Sequence, residues 1–414
     1  MKAIRAAAVL LALLAATLRG ADDFIDTVDD ALSVSAWQDN LRARLSGSVD
    51  VEGYRFQQPA PSLYLSGGDS LFNPRLSLFL DAQAGAHVYV FAQARADRRF
   101  DPANSGAEFR LDEYALRLTP WDDGRFNLQI GQFATVVGNW TLRHDSWDNP
   151  LVTAPLLYEN LTGIWDIEAV HSGGTLLLWA NVGPRPSAAF PNKTRGVPII
   201  WGPSYGTGAS ASGVVGKFAY AAEIKNTSLS SRPETWSVAE TQWSNPTFSG
   251  RVGFMPDGRW NLGFSASTGA YLQPAAQPSV APGSRLGAYR ETLFGQDASF
   301  AWHHLQLWSE VYAARFAIPR VGDADTLGYY VEGKFKFTPQ LFGALRWNQQ
   351  RFSTVLLAAG GSGRWGSDIW RIDAGPGFRF TPHTQLKLQY SIQDQDSTLR
   401  NRSGILAVQF TARF

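Results

Sequence analysis

The sequence predicts an all-β fold: a single transmembrane antiparallel β-barrel of about 16–18 strands, with short turns at one rim and long loops at the other. Three observations predict it. The closing stretch RSGILAVQFTARF sets Leu406, Val408, Phe410, Ala412 and Phe414 against Ile405, Ala407, Gln409, Thr411 and Arg413. Side chains alternate along a strand, so one face is apolar and the other turns polar toward its end. At the other terminus, Lys2 and Arg5 precede an apolar run from Ala6 to Leu18. That is the form of a secretory signal peptide, too short to span a bilayer. Finally, no later stretch approaches the roughly 20 apolar residues of a spanning helix. A membrane location then leaves only a closed barrel, which satisfies every backbone group in lipid.

The elements follow in order. Residues 1–20 read as the signal peptide, with cleavage near Gly20 or Ala21. Residues 21–40 read as an N-terminal periplasmic segment, and 41–414 as the outer-membrane barrel. Within 21–40, Phe24, Val28 and Leu32 share a helical face, and Asp22, Asp23, Asp26, Asp29 and Asp30 lie elsewhere. A short acidic helix that plugs the lumen or meets a periplasmic partner and a floppy exported leader before the first strand both fit this pattern.

Alternation then recurs. Phe126, Leu128 and Ile130 oppose Arg125, Asn127 and Gln129. Leu327, Tyr329, Val331, Phe335 and Phe337 oppose Thr326, Glu332, Lys334 and Lys336. Leu341, Leu345 and Trp347 oppose Arg346, Asn348 and Gln350. Trp370, Ile372, Ala374, Phe378 and Phe380 oppose Arg371, Asp373 and Arg379. Leu386, Leu388, Tyr390 and Ile392 oppose Gln385, Lys387, Gln389, Ser391 and Gln393. A soluble sandwich alternates too. Here, however, Lys, Arg, Glu and Gln sit deep within long strands, which suits a hydrated lumen.

Residues 119–124 (TPWDDG), 255–258 (MPDG), 337–340 (FTPQ) and 380–384 (FTPHT) supply the Pro, Asp and Gly of tight reversals. The longer connections are 57–73, 137–163, 183–213, 272–287 and 356–366, expected on the outer side.

Composition narrows the function. Lys+Arg number 37 against Asp+Glu 36, which leaves no basic excess for a nucleic-acid partner. Cysteine is absent, so there is no thiol chemistry and no thiolate metal site. No cofactor is expected. Trp 15, Tyr 13 and Phe 25 suit the aromatic girdles of a membrane barrel. His144-Asp145-Ser146 invites a hydrolase reading, but neighbours in sequence do not make a triad and no Gly-x-Ser-x-Gly elbow is present.

The segments Leu327 to Phe352 and Gly375 to Asp396 resemble hairpins of bacterial porins. The C-terminal strand resembles the closing strand of outer-membrane barrels. LQIGQFATVVGNW (Leu128 to Trp140) is similar to the Gly-Gln-Phe…Gly motif of phosphate-selective porin-type barrels. That family continues Lys-Thr-Pro-Phe, where this chain has Ala134-Thr135-Val136-Val137. The basic residue is missing, so the resemblance implies the architecture without phosphate selectivity. It also implies an outer membrane of Gram-negative type, surrounding lipid, and an assembly signal at Phe410 and Phe414 read by the barrel-assembly machinery.

In such barrels a strand end leads into a long loop that narrows the pore. Residues 138–163 follow the motif, and Trp140, Arg143, His144, Asp145, Trp147, Asp148, Tyr158 and Glu159 are the candidate constriction residues. Trp140, Trp147 and Tyr158 are candidate stacking surfaces for sugar-like solutes. An external loop packed on the rim is the alternative. Arg95, Arg117, Lys334, Lys336, Arg346, Arg371, Arg379 and Lys387 fall on predicted lumen faces, with Asp97, Glu113, Glu332 and Asp373 among them. Such a mixed-charge wall focuses ions less than a single-sign ring does. The expected function is passive diffusion of small polar or ionic solutes, without enzymatic activity. A sleeve for a partner such as an electron-carrying cytochrome is the first alternative, and an outer-membrane hydrolase the second. A homotrimer remains open.

Overall fold

The computed structural model describes residues 27–28, 30–57, 68–97, 108–182, 196–237, 243–358, 360–396 and 402–414. The expected signal peptide and the first residues of the N-terminal segment lie outside the described residues.

Sixteen antiparallel strands form the wall. They are β1 (Leu41–Phe56), β2 (Ser70–Ala84), β3 (Val88–Asp97), β4 (Glu108–Leu118), β5 (Asn127–Phe133), β6 (Gly206–Val215), β7 (Phe218–Lys225) and β8 (Thr247–Phe254). They continue as β9 (Trp260–Ala270), β10 (Arg290–Trp302), β11 (Leu305–Ile318), β12 (Gly322–Lys336), β13 (Leu341–Phe352), β14 (Ile369–Arg379), β15 (Thr384–Gln395) and β16 (Arg402–Arg413). Each strand pairs with the next, and β16 returns to β1 with Ile405 opposite Phe56 and Arg413 opposite Ser48. The ring therefore closes and its strands have no open edge.

The alternation read from the sequence decides which side faces out. Leu327, Val331, Leu345, Leu388, Tyr390 and Leu406 are exposed, whereas Arg346, Asn348, Arg371, Asp373, Lys387 and Gln389 are buried. A sandwich would bury the apolar set. Here the apolar faces form the outer surface and the polar ones the interior, the arrangement of a barrel in lipid. One register shift, between Gln93 and Ala94 on β3, lies opposite residues 111–113 of β4. A bulge adds one residue and re-aims its neighbours. Asp112 then meets Arg95 (3.3 Å) and Arg110 (2.7 Å), and the adjacent Glu113 accepts the Ala134 N–H (2.6 Å).

All four predicted reversals fall at one rim, between β4 and β5, β8 and β9, β12 and β13, and β14 and β15. The long connections gather at the other. One expectation is corrected: the loops placed at 137–163 and 183–213 are a single connection from β5 to β6, and β6 begins at Gly206. No strand separates them. Helix α1 (Leu156–Glu159) and helix α2 (Gly173–Val182) lie in this connection. A short apolar run such as TLLLWANV fits helix or strand, and its N-terminal cap settles the matter. Ser172 Oγ accepts the Thr175 N–H at 3.2 Å, and the first turn forms behind it.

The N-terminal segment holds a helical turn and a short strand. Among its described residues only a turn ending at Leu32 is helical, and Ser33–Ala36 is a strand paired with Leu41–Arg44 of β1. It covers the part of the β1 edge that β16 does not reach. Gly47 exchanges both backbone hydrogen bonds with Phe414 (2.9 and 3.0 Å), and Leu45 N–H donates to Leu32 O (3.0 Å). The two chain termini thus share one row of the sheet.

The Phe414 ring lies across Gly47. A Cβ there would sit 2.6 Å from ring Cζ and 2.8 Å from the Ser77 carbonyl oxygen. An aromatic ring over a cross-strand glycine is a known way to pin register. Gly47→Leu is expected to displace the ring and cost about 1–3 kcal/mol through overpacking. A reduced fraction of heat-resistant folded barrel on a denaturing gel would register this, and an unchanged fraction would rule out a role for the notch.

Candidate functional site: the segment inside the barrel

Gly131, Gln132 and Phe133 close β5. At Gly131 φ is +147°, and a Cβ would fall 2.1 Å from the Tyr114 carbonyl oxygen. Only glycine fits this close approach, and from here the chain turns into the lumen.

Residues 138–163 then run along the inner wall of β11–β15, and their polar groups are matched one by one. Glu310 accepts the N–H groups of Asn139 (2.5 Å) and Trp140 (2.8 Å) and the Tyr158 hydroxyl (2.5 Å). Arg143 pairs with Glu332 and donates to the Tyr330 hydroxyl at 3.1 Å. Gln389 accepts the N–H groups of Val152 (2.6 Å) and Thr153 (3.0 Å). Arg346 donates to the carbonyls of Thr153 (2.9 Å) and Ala154 (3.0 Å) and also binds Glu332 (3.0 Å) and Asp373 (2.9 Å). Arg371 pairs with Glu159 and Asp373 and donates to the Ala154 carbonyl. The Lys387 ammonium donates to the carbonyls of Ser146 (2.6 Å), Asn149 (2.9 Å) and Leu151 (3.2 Å). A loop placed indoors has few waters to satisfy its backbone, so the wall must do it. Burial, and then the Glu310 carboxylate, hold the Tyr158 phenol well above its ordinary range, so it remains a donor.

Toward the long-loop rim, apolar side chains take over. Ile164, Leu176, Trp201, Tyr205, Trp236, Tyr271, Phe316 and Trp365 form one buried cluster. Asp166 clamps it from within by pairing with Arg232, and Gln273 donates to the same carboxylate. Polar anchors at mid-depth and an apolar plug above them therefore fill the β9–β15 side.

The β1–β3 side keeps a cavity of about 170 Å³, bordered by Asp50, Glu52, Arg75 and Arg95 on the wall and by His144 and Asp145 on the inserted segment. Its charges are largely matched in pairs: Arg75 binds Asp50 (3.1 Å) and Glu52 (2.7 Å), and Arg110 binds Asp97 (2.8 Å).

The sequence-derived residues therefore separate. Arg143, Tyr158 and Glu159 anchor the segment, and Trp140, His144, Asp145, Tyr158 and Glu159 border the cavity. Asp148 is exposed. Trp140, Trp147 and Tyr158 are buried, and Trp140 and Tyr158 border the cavity. Trp140 packs on Tyr158 (4.4 Å between centroids), and Trp147 lies against the guanidinium groups of Arg379 and Arg413. On the wall, Arg346, Arg371 and Lys387 do face inward, but the segment covers them. Arg95 borders the cavity, and Arg117 binds Gln129 (2.8 Å). Lys334, Lys336 and Arg379 stand at the short-turn rim. His144 donates from Nδ1 to the Thr141 carbonyl (2.6 Å), and its Nε2 meets the Tyr205 hydroxyl (2.6 Å), with Asp145 3.5 Å away. No hydroxyl nucleophile is aligned on it in the manner of a triad.

Sequence reasoning missed Glu310, Gln389 and Asn348, which hold the segment's backbone N–H groups. Alternation marks these positions as inward. It does not say that a distant loop will meet them.

A closed sixteen-strand antiparallel barrel with an apolar exterior, a polar interior and a long connection inside is a porin-type β-barrel. Solved structures agree. One is OmpF of Salmonella typhi in complex with daunomycin (TM-score 0.54, 12% identity), with 92% of this chain and 100% of that chain covered. Another is the outer membrane channel DcaP of Acinetobacter baumannii (TM-score 0.54, 9% identity), with 92% and 100% covered. A third is the trimer form of OmpT, an outer membrane protein of Vibrio cholerae (TM-score 0.52, 9% identity), with 91% and 100% covered. At these identities the likeness is one of fold. No family model and no curated protein matches the sequence.

Proposed function

We propose that the protein is a passive channel in a Gram-negative outer membrane, admitting small polar or ionic solutes, and that residues 138–163 set its narrowest section. One observation supports this above the rest: the inserted segment is tethered to β11–β15 and leaves a charged cavity along β1–β3. A fixed partial obstruction in a polar lumen selects by size and charge without any catalytic group. The short-turn rim is then periplasmic. Export through residues 1–20 and closure by the machinery that reads Phe410 and Phe414 belong to the same reading. A homotrimer fits it as well, with small outward residues such as Ala92 and Ala94 on the wall.

A sleeve for a cytochrome needs a wide, empty lumen, and the segment takes that space. A hydrolase needs a nucleophile beside His144, whose ring nitrogens already face Thr141 and Tyr205. The test is the purified protein in a planar bilayer. Stepwise, long-lived openings are expected without any partner, and persistent silence in correctly folded material would refute the channel.

A further inference from the structure

Most inward cations of this barrel are paired with carboxylates or spent on backbone carbonyls. At the short-turn rim stands a group without carboxylate partners, of which, among the described residues, only Arg413 reaches a carbonyl. Lys334 and Lys336 end β12, Arg379 ends β14 and Arg413 ends β16, all on inward positions. Among the described residues none of these four forms an ion pair with a carboxylate. Lys334 is only 6% exposed, makes no hydrogen bond among the described residues, and holds its ammonium 4.3 Å from the Phe342 ring centroid. Arg379 Nε is buried and has no hydrogen-bond partner. Arg413 gives its Nε to the Pro382 carbonyl (3.0 Å).

Trp147 of the inserted segment holds two of the four, Arg379 and Arg413. The Arg379 and Arg413 guanidinium carbons lie 4.8 and 3.9 Å from its ring centroid. Stacking on an indole fixes a guanidinium by its face and leaves its N–H edge available. The exposed carboxylate of Asp148 is the acidic charge felt in common by Lys334, Arg379 and Arg413. Gathering like charges with so little compensation costs free energy that a bound anion recovers.

We propose that Lys334, Lys336, Arg379 and Arg413 form a binding site for a small multivalent oxyanion, such as a phosphate or a polycarboxylate, just inside the short-turn rim. The site deepens the channel reading and rests on it for a water-filled approach. Its residues face inward, so the ligand is a free solute rather than a lipid headgroup. Oxyanions suit it because ammonium and guanidinium donors form short charge-assisted hydrogen bonds to them.

Inorganic pyrophosphate is the probe, titrated calorimetrically into the detergent-solubilised barrel at low ionic strength. The comparison is with the double variant Lys336→Gln/Arg379→Gln and its charge-preserving counterpart Lys336→Arg/Arg379→Lys, each checked for heat-resistant folding. Loss of the two charges should weaken binding about tenfold or more, corresponding to at least one decade in Kd. The charge-preserving pair should retain most of the affinity. Equal affinity in native protein and glutamine variant, or no binding to the native barrel, would overturn the site. A bilayer recording separates the two readings: binding without conductance refutes the channel alone, and conductance without binding refutes the anion site alone.

Discussion

Arg346→Met is expected to be the most damaging single substitution in the interior. The guanidinium is fully buried and joins four groups at once: Glu332 on β12, Asp373 on β14, and the carbonyls of Thr153 and Ala154 on the inserted segment. Methionine fills much of the same volume but donates nothing. Removing one partner of a buried ionic network leaves charge uncompensated, at a cost of about 3–5 kcal/mol. The lower end applies here, because Glu332 keeps Arg143 and Asp373 keeps Arg371. The two carbonyls likewise keep one donor each, Ala154 from Arg371 and Thr153 from Asn149 (3.2 Å), so the loss falls on the links between the segment and β13. The matching control is Arg315→Met. Arg315 also binds two carboxylates, Asp323 (3.2 Å) and Asp325 (2.6 Å), but on the outer side and more than half exposed. Exposed pairs contribute about 0–1 kcal/mol. Urea unfolding in micelles or vesicles should therefore separate the two variants clearly. Similar midpoints would mean that the buried network does not hold the segment.

Replacing residues 143–159 with glycine and serine should raise single-channel conductance severalfold while the barrel still closes. The wall has its own pairings for this case, since Arg346 binds Glu332 and Asp373, and Arg371 binds Asp373. Water can replace the segment at Lys387 and Gln389. The replaced stretch contributes one arginine against Asp145, Asp148 and Glu159. Its loss removes more negative than positive charge, so the reversal potential in a salt gradient should move toward anion preference. Unchanged conductance would show that another part of the lumen is narrowest. A shift toward cations would show that the segment's charges do not face the permeation path.

Much of the fold was legible in the chain because a barrel wall obeys a local rule. Leu388, Tyr390 and Ile392 had to share a face whatever surrounded them, and hydrocarbon outside made that face the outer one. The Pro- and Gly-bearing reversals at 119–124, 255–258, 337–340 and 380–384 were equally local. The stretch from 164 to 205 was not. Its apolar residues have no alternation to read, and those described, such as Ile164, Leu176 and Trp201, are buried against Phe316, Trp365 and Tyr271 from strands and loops remote in the chain. The N-terminal strand escaped for a similar reason: Ser33–Ala36 is extended because the β1 edge beyond Phe414 needed a partner.

By itself, then, the sequence determined the wall: which residues look toward lipid, which look inward, where the chain reverses, and that residues 138–163 follow β5 as a long connection. Tertiary structure alone decided what the inward residues do. Arg346, Arg371 and Lys387 looked the same in the chain as Lys334, Lys336 and Arg379, yet the first three are covered by the inserted segment and the second three stand at the short-turn rim, Arg379 beside Trp147. The reason is distance. Alternation is set by neighbours two residues apart, whereas the partner of an inward charge arrives from across the lumen, at a separation no local pattern encodes.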